Sequence, residues 1–259
     1  MSITTTGNGR LCNQVIRNLA LSLVAKKFDL YVTYANYNKI NNILGIELYI
    51  GKNKYNTTRI DEWDKNNGEK YLELLNKTET IDYNLDFMKD YLQQEKITDV
   101  LYKHLRSEQQ KKLIIDKNRF KDRYNKNNDL FIHIRLGDLT IDRMKYLIQP
   151  IEYYLYCIET IPHDKLYIAS DSLNYELIQK IQKKHTNVIL VNLNDVETIQ
   201  FGSTCKNVVL STGSYSAVIG YISFFSNIYY LNKDPIRCPF GLMTNKSWNV
   251  IEETSFMSH

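Results

Sequence analysis

A histidine, an arginine and an aspartate follow one apolar run near the middle of the chain, in the segment HIRLGD at residues 133–138. Residues 130–132 (LFI) predict a buried strand that leads into this segment. Because strand side chains alternate, His133 and Arg135 are expected on one face. An arginine at a strand end can hold a diphosphate through paired N–H donors. Taken alone, the segment also fits a salt bridge of Arg135 with Asp138 beside a core histidine, and that interpretation is favoured.

Three further loops carry polar residues, and each follows a predicted strand. The first holds Arg10 and Asn13, the second holds Asp171 and Ser172, and the third is residues 211–216 (STGSYS). Ligands in open α/β sheets bind outside the carboxyl ends of the strands, so a parallel sheet would open all four loops at one edge.

Residues 211–216 precede an apolar helix and contain serine, threonine and glycine at five of six positions. Such a turn can bind an anion through backbone N–H groups, or it can be an ordinary N-cap; both interpretations stay open. Asp171 could accept hydrogen bonds from a base or a ribose. It could also cap the helix predicted at 173–185, which is the favoured interpretation of this residue alone.

The elements that would position these loops alternate between strand and helix. In the first half, a helix from residue 13 and a strand at 30–34 are followed by short amphipathic helices at 71–75, 83–92 and 97–105. The polar residues 121–129 are interpreted as a linker into the second half. The second half contains five predicted strands, at residues 130–134, 165–170, 187–191, 207–210 and 228–231, the last closing the sheet. This alternation predicts an α/β fold with a doubly wound parallel sheet.

Composition excludes several classes of function. The net charge of +4 is too small to indicate nucleic-acid binding or an anionic membrane surface. Neither a membrane-spanning run nor a signal peptide is recognisable. The four cysteines are scattered and expected to be reduced, which predicts a cytoplasmic location. The sequence lacks a dinucleotide fingerprint, a P-loop lysine and an Asp-x-Asp pair, so we expect neither a cofactor nor a metal.

Five segments, in order, resemble the motifs of the GT-B fucosyltransferases. Residues 9–14 are similar to the family's G-x-x-G-N-Q start, and residues 133–138 to its H-x-R-x-G-D motif. Residues 150–154 are similar to the helix that follows that motif, and residues 167–172 to the strand that ends in aspartate. Residues 211–221 are similar to the motif S-N-S-S-F-S-W-W-A-A-Y. The set resembles most the α-1,2-fucosyltransferase family, glycosyltransferase family 11. The resemblance implies a GT-B-like fold with two Rossmann-like halves: an acceptor-side domain at residues 1–128 and a GDP-sugar domain at residues 129–259.

The resemblance also implies roles for individual residues. It places Arg135 on the β-phosphate and His133 and Asp171 near the guanine. Ser172, which replaces a second aspartate of the family motif, is counted among the donor-binding residues. The remaining matches are expected around the diphosphate and the fucose, at Arg10, Asn13, Ser214, Tyr215 and Ser216. Catalysis is assigned to Arg135, Asn13 and Asp138. Asp138 is a candidate base, although holding Arg135 is its favoured role.

The implied activity is an inverting, metal-independent transfer of fucose from GDP-fucose to a glycan hydroxyl, α-1,2 to a galactose-type sugar. Two alternatives remain open from the residues. One is a glycosyltransferase that uses another nucleotide sugar. The other is a binding domain that keeps the fold and has lost transfer, against which the presence of Arg135 argues.

Overall fold

The computed structural model describes residues 3–4, 9–60, 68–86, 91–232, 242–243 and 246–256. The chain divides into two compact units. The first unit comprises Met1–Asn118 and Phe240–Lys246, and the second comprises Arg119–Pro239 and Ser247–His259.

The division lies before the boundary at 128/129 that the sequence suggests, because residues 119–128 are bonded to the second unit. Arg123 Nη2 donates to Asp129 Oδ2 at 2.7 Å. Asn127 Nδ2 donates to the carbonyl oxygen of Thr204 at 3.0 Å. The segment interpreted as a linker is therefore part of the second unit. The assignment of the units to acceptor and donor stays a prediction.

The first unit contains short strands and mostly helical connections. Its elements are β1 (Ile3–Thr4), α1 (Leu11–Phe28), β2 (Val32–Thr33), a π-helical turn (Asn38–Ile43), β3 (Thr58–Ile60), α2 (Glu69–Asn76), β4 (Asn84–Asp86), α3 (Glu95–Leu105) and α4 (Glu108–Lys117). β1 pairs with β2 and β3 with β4, each time in parallel.

Helix α1 begins after Gly9, which has a φ of 84°, and ends at Asp29, whose backbone is left-handed. Lys26 and Lys27 lie in its last turn, where the negative end of the helix dipole attracts cations. Among the residues that the structure describes, no helix is long and apolar enough to cross a membrane.

In this unit one helix prediction is wrong and one helix was not predicted. The helix predicted at 83–92 is replaced by strand β4, and residues 87–90 lie outside the described part. Helix α4 was missed because it buries only Gln110 and Ile114, which leaves little apolar periodicity in the sequence.

The second unit is built on a six-stranded parallel sheet. Its helices and strands are β5 (Leu130–Ile134), α5 (Ile151–Thr160), β6 (Leu166–Ser170), α6 (Glu176–Lys184), β7 (Val188–Leu190), α7 (Asp195–Gly202), β8 (Asn207–Leu210), α8 (Ser214–Ile222), β9 (Asn227–Asn232) and β10 (Asn249–Glu252). The strand order in the sheet is β10-β9-β8-β5-β6-β7. The predicted α/β fold with a parallel sheet is confirmed.

Strand β9 does not close the sheet, because β10 adds one further strand beside it. The prediction missed β10 since three of its four residues are exposed, so they carry little apolar signal.

Strand β5 lies in the interior of the sheet, and all five of its residues are buried. Ile132, Ile134 and Leu136 join one hydrophobic cluster with residues of α5 and α6. On the other face, Phe131 packs edge-on against Phe201. Because Ile132 lies level with Ile168 of β6 and Val209 of β8, the carboxyl ends of three adjacent strands are brought together.

Candidate functional site

The candidate site lies at the carboxyl ends of β8, β5 and β6, which are neighbours in the second unit. Three of the four polar loops follow these strands, so the parallel sheet places them side by side as the sequence predicts. The fourth loop, with Arg10 and Asn13, belongs to the first unit. Its grouping with the other three stays a prediction.

Arg135 is held at both its backbone and its side chain. The backbone N–H of Arg135 donates to Ser211 Oγ at 3.2 Å. The guanidinium Nη2 donates to Asp138 Oδ2 at 3.1 Å. With 28% of the side chain exposed, Arg135 is fixed and still accessible.

The guanidinium of Arg135 also lies against Gly213, the residue that precedes α8. A Cβ atom on Gly213 would be 2.3 Å from Arg135 Nη1, and the φ of Gly213 is 97°. Only glycine meets both requirements, since it has no Cβ and adopts positive φ without strain. Gly213 thus lets the cation approach the start of the helix.

The start of α8 has the properties of an anion site. Gly213 is the N-cap residue and has no side chain with which to cap the first-turn N–H groups. Those N–H groups carry the positive end of the helix dipole. A guanidinium beside them adds a full charge, so one phosphate could be bound by both.

His133 lies under this helix rather than at the surface. It is 5% exposed, and its Nδ1 lies 2.6 Å from Ser216 Oγ. Its ring centroid is 4.9 Å from that of Tyr215. Burial lowers the pKa of His133 to about 4, with Asp171 opposing and Arg135 adding to the shift. The imidazole is therefore neutral at pH 7.

The side chains of Ser216 and Tyr215 are engaged within the protein. Ser216 Oγ accepts the backbone N–H of Ser211 at 3.0 Å, and it is fully buried. The Tyr215 hydroxyl donates to the carbonyl oxygen of Asp195 at 2.6 Å. The predicted contacts of both residues with a diphosphate stay predictions.

Asp171 fastens the loop after β5. Its Oδ1 accepts the backbone N–H of Leu136 at 2.9 Å. A Cβ atom on Gly137 would be 2.0 Å from Asp171 Oδ2, so glycine is required there as well. The structure thus shows which atoms Asp171 contacts in the protein, while its proximity to a base stays a prediction.

The interpretation of Asp171 as a helix cap is wrong. Helix α6 begins at Glu176, later than predicted, because the backbone N–H of Tyr175 closes a turn on the carbonyl of Ser172 at 3.1 Å. The backbone N–H of Ser172 donates to Ser170 Oγ at 3.1 Å.

In the first unit, Arg10 is exposed at the N-cap position of α1. Asn13 Oδ1 accepts from Gln93 Nε2 at 2.8 Å. Gly9, next to them, is held by Gln14, whose Nε2 donates to the Gly9 carbonyl at 2.9 Å. Asn13 is thus oriented by a side chain that the sequence alone did not connect with it.

Two further features bear on the site's chemistry. Within the described part of the chain, no group of three or more His, Cys, Asp or Glu side chains could hold a metal ion. Ser211 and Gly213 were not singled out by sequence reasoning as residues that hold Arg135. Both lie in the Ser/Thr/Gly-rich segment 211–216, which the sequence marks as a candidate anion site without connecting it to Arg135.

Comparisons with known proteins add little. No protein-family model and no curated protein matches the chain. Crystal structures of the fucosyltransferase NodZ from Bradyrhizobium are similar at a TM-score of 0.47 and 10% identity, over 87% of this chain and 92% of that chain. NodZ α-1,6-fucosyltransferase co-crystallized with GDP is similar at 0.48 and 10% identity, over 89% and 92%.

Proposed function

We propose that the chain is a glycosyltransferase that binds the diphosphate of GDP-fucose between Arg135 and the start of α8. It transfers fucose to a glycan hydroxyl. The observation that carries this proposal is the Arg135 guanidinium packed against Gly213, the N-cap residue of α8, whose positive φ and missing Cβ let the cation approach the helix start. Fucose as the sugar, guanine as the base and an α-1,2 linkage to galactose are supported by the sequence resemblance.

The proposed reaction breaks the bond between C1 of the fucose and an oxygen of the β-phosphate. The acceptor hydroxyl attacks C1 from the opposite face, which inverts the configuration, and its proton is released. Negative charge grows on the departing phosphate. Arg135 and the first-turn amides of α8 stabilise that charge from fixed positions, which is the role that a metal ion has in other enzymes.

The other residues take supporting roles in this proposal. Asp138 holds the guanidinium through its ion pair with Arg135, and it is the candidate acceptor of the proton. Asp171 is exposed, so it and Ser172 are accessible to the nucleoside. His133 is buried and neutral, so we assign it to the support of α8. Arg10 and Asn13 are proposed to contact the pyrophosphate and the fucose.

Calorimetric titration of GDP and UDP tests the binding step. We expect GDP to bind more tightly than UDP, and Arg135→Ala to weaken GDP binding at least about tenfold, since a charged donor to phosphate is lost. Arg143 is exposed in the turn that follows, so Arg143→Ala is the matched control and should bind as the unchanged protein does. Tighter binding of UDP would contradict the guanine assignment.

Release of GDP from GDP-fucose, measured with β-galactoside acceptors in the presence of EDTA, tests the transfer step. We expect release that depends on the acceptor, with an inverted anomeric centre in the product by NMR. A folded protein that binds GDP but releases none from any GDP-sugar would indicate a binding domain. Loss of activity with EDTA would contradict the metal-free mechanism.

A further inference from the structure

Ser211, the first residue after β8, connects Arg135 to the neighbouring strand. Its Oγ accepts the backbone N–H of Arg135 at 3.2 Å. The Ser211 side chain is buried, with 1% of the residue exposed. Water therefore has little access to replace this bond.

The backbone of Ser211 is fixed in turn by α8. Its N–H donates to Ser216 Oγ at 3.0 Å, and that oxygen lies 2.6 Å from Nδ1 of His133. Ser216 and His133 are both buried. These contacts form a continuous chain from β5, through α8 and the end of β8, and back to β5.

We infer that Ser211 is a positioning residue, which sets the place of Arg135 relative to the start of α8. This inference rests on the proposed function, because it assigns a consequence for diphosphate binding. Ser211 reaches the backbone of Arg135, whereas Asp138 and Gly213 contact its guanidinium. Ser211 therefore fixes the point from which the side chain extends.

A hydroxyl is required for this role. Without it, the Arg135 N–H loses its acceptor in a partly buried place, which costs stability unless the backbone moves to restore a partner. A movement of the backbone would displace the guanidinium from Gly213, and charged contacts to phosphate depend steeply on position. The effect of losing Ser211 Oγ should thus appear in ligand binding and turnover, and it should depend on the presence of the guanidinium.

The test compares Ser211→Ala with a matched serine at the other end of α8. Ser223 is also buried, and its Oγ donates to the Ile219 carbonyl at 2.7 Å. We expect Ser211→Ala to weaken GDP binding about 3- to 10-fold, the usual range for one hydrogen bond. The kcat for GDP-fucose should fall by a similar factor. Ser223→Ala should leave both unchanged, and Ser211→Thr, which keeps the hydroxyl, should restore GDP binding.

A double-mutant cycle separates positioning from a general loss of structure. In an Arg135→Ala background, Ser211→Ala should change GDP binding less than about 2-fold, because Ser211 acts through the lost side chain. An equal factor in both backgrounds would overturn the inference, as would an effect of Ser223→Ala as large as that of Ser211→Ala. If Ser211→Ala does not fold, Ser211→Cys keeps the volume and weakens the acceptor, so it carries the same test.

The outcomes also separate this inference from the proposed function. Protein that binds GDP through Arg135 but is indifferent to Ser211→Ala overturns the inference and leaves the proposed function standing. Folded protein that binds neither GDP nor GDP-fucose overturns both.

Discussion

Helices α1 and α8 both begin beside a glycine with positive φ: Gly9 precedes Arg10, the N-cap residue of α1, and Gly213 is itself the N-cap residue of α8. Helix α1 follows Gly9 with a φ of 84°, and α8 follows Gly213 with a φ of 97°. A Cβ atom on Gly9 would meet Asn13 of the helix it precedes, at 2.7 Å from Nδ2. A Cβ atom on Gly213 would meet Arg135, which comes from a different strand.

The difference shows what turns a helix start into a candidate site. The glycine and its positive φ are local features, and both regions have them. The guanidinium at α8 is supplied by the parallel pairing of β5 with β8. A glycine-containing helix start therefore predicts the backbone conformation, and the neighbouring strand decides which ligand the start can bind.

The largest expected effect is the loss of kcat when Arg135 is replaced, compared with the loss when Arg10 is replaced. Arg135→Ala should reduce kcat with GDP-fucose about 100- to 1000-fold, since a fixed donor to the leaving group is worth ~3–4 kcal/mol in the transition state. Arg10→Ala should have a smaller effect, because Arg10 is exposed and exposed charges contribute less. Steady-state kinetics of both variants measure the ratio. A larger loss for Arg10→Ala would reverse the comparison.

The second expected effect is a loss of folding stability at acidic pH, which should arise from the region around α8. The α8 start rests on His133, whose pKa is lowered by burial from 6.5 to about 4. The unfolded chain therefore binds a proton at a higher pH than the folded chain, and stability falls as the pH drops from 6.5 towards 4. The loss should approach about 3 kcal/mol at pH 4.

Urea unfolding at pH 7, 5.5 and 4.5 measures this loss, with His133→Gln as the comparison. The glutamine variant should lose less stability than the unchanged protein over the same interval. Near the start of α1, the corresponding contact joins two amide side chains, which do not titrate: Asn36 Nδ2 donates to Gln14 Oε1 at 2.6 Å. An identical pH dependence in both proteins would show that His133 has no part in it.

The two glycines provide the third comparison. Gly213→Ala would place a methyl group where the Arg135 guanidinium lies and would strain a backbone with positive φ. It should destabilise the fold by about 2 kcal/mol and weaken GDP binding. Gly9→Ala should cause similar strain but a smaller change in GDP binding. Thermal unfolding and calorimetry of both variants separate the two effects, and unchanged GDP binding in Gly213→Ala would contradict the site.

The smallest effect is expected at Asp138. The ion pair of Asp138 with Arg135 is partly exposed, with 37% of the Asp138 side chain accessible, and such pairs contribute less than about 1 kcal/mol. Asp138→Asn should keep most of the transfer activity, whereas Arg135→Lys, which loses the paired donors, should not. If Asp138→Asn abolished transfer while GDP still bound, Asp138 would be the catalytic base.

The fold of the second unit was largely predictable because its strands are short, apolar and regularly spaced. Strands β5 and β8 both have the bounds that the sequence predicts. The first unit was harder. Strand β4 has only three residues, and one of its buried residues is the polar Asn84, while α4 buries only Gln110 and Ile114, so neither has a clear hydrophobic period.

The candidate site was predictable as a set of strand ends, but the contacts within it were not. Arg135 with Asp138 is a local pair at i and i+3, and the sequence predicts it directly. The bond of Leu136 to Asp171 and that of Arg135 to Ser211 join residues far apart in the chain. They depend on the register of three strands, which no local pattern specifies. The burial of His133 depends on α8 packing over β5 in the same way.

The most direct test of a diphosphate site at Arg135 and the start of α8 is a crystal structure of the protein soaked with GDP. The account predicts the diphosphate within hydrogen-bonding distance of the Arg135 guanidinium and of the first-turn N–H groups of α8. A diphosphate bound elsewhere, with Arg135 in contact only with Asp138, would contradict it.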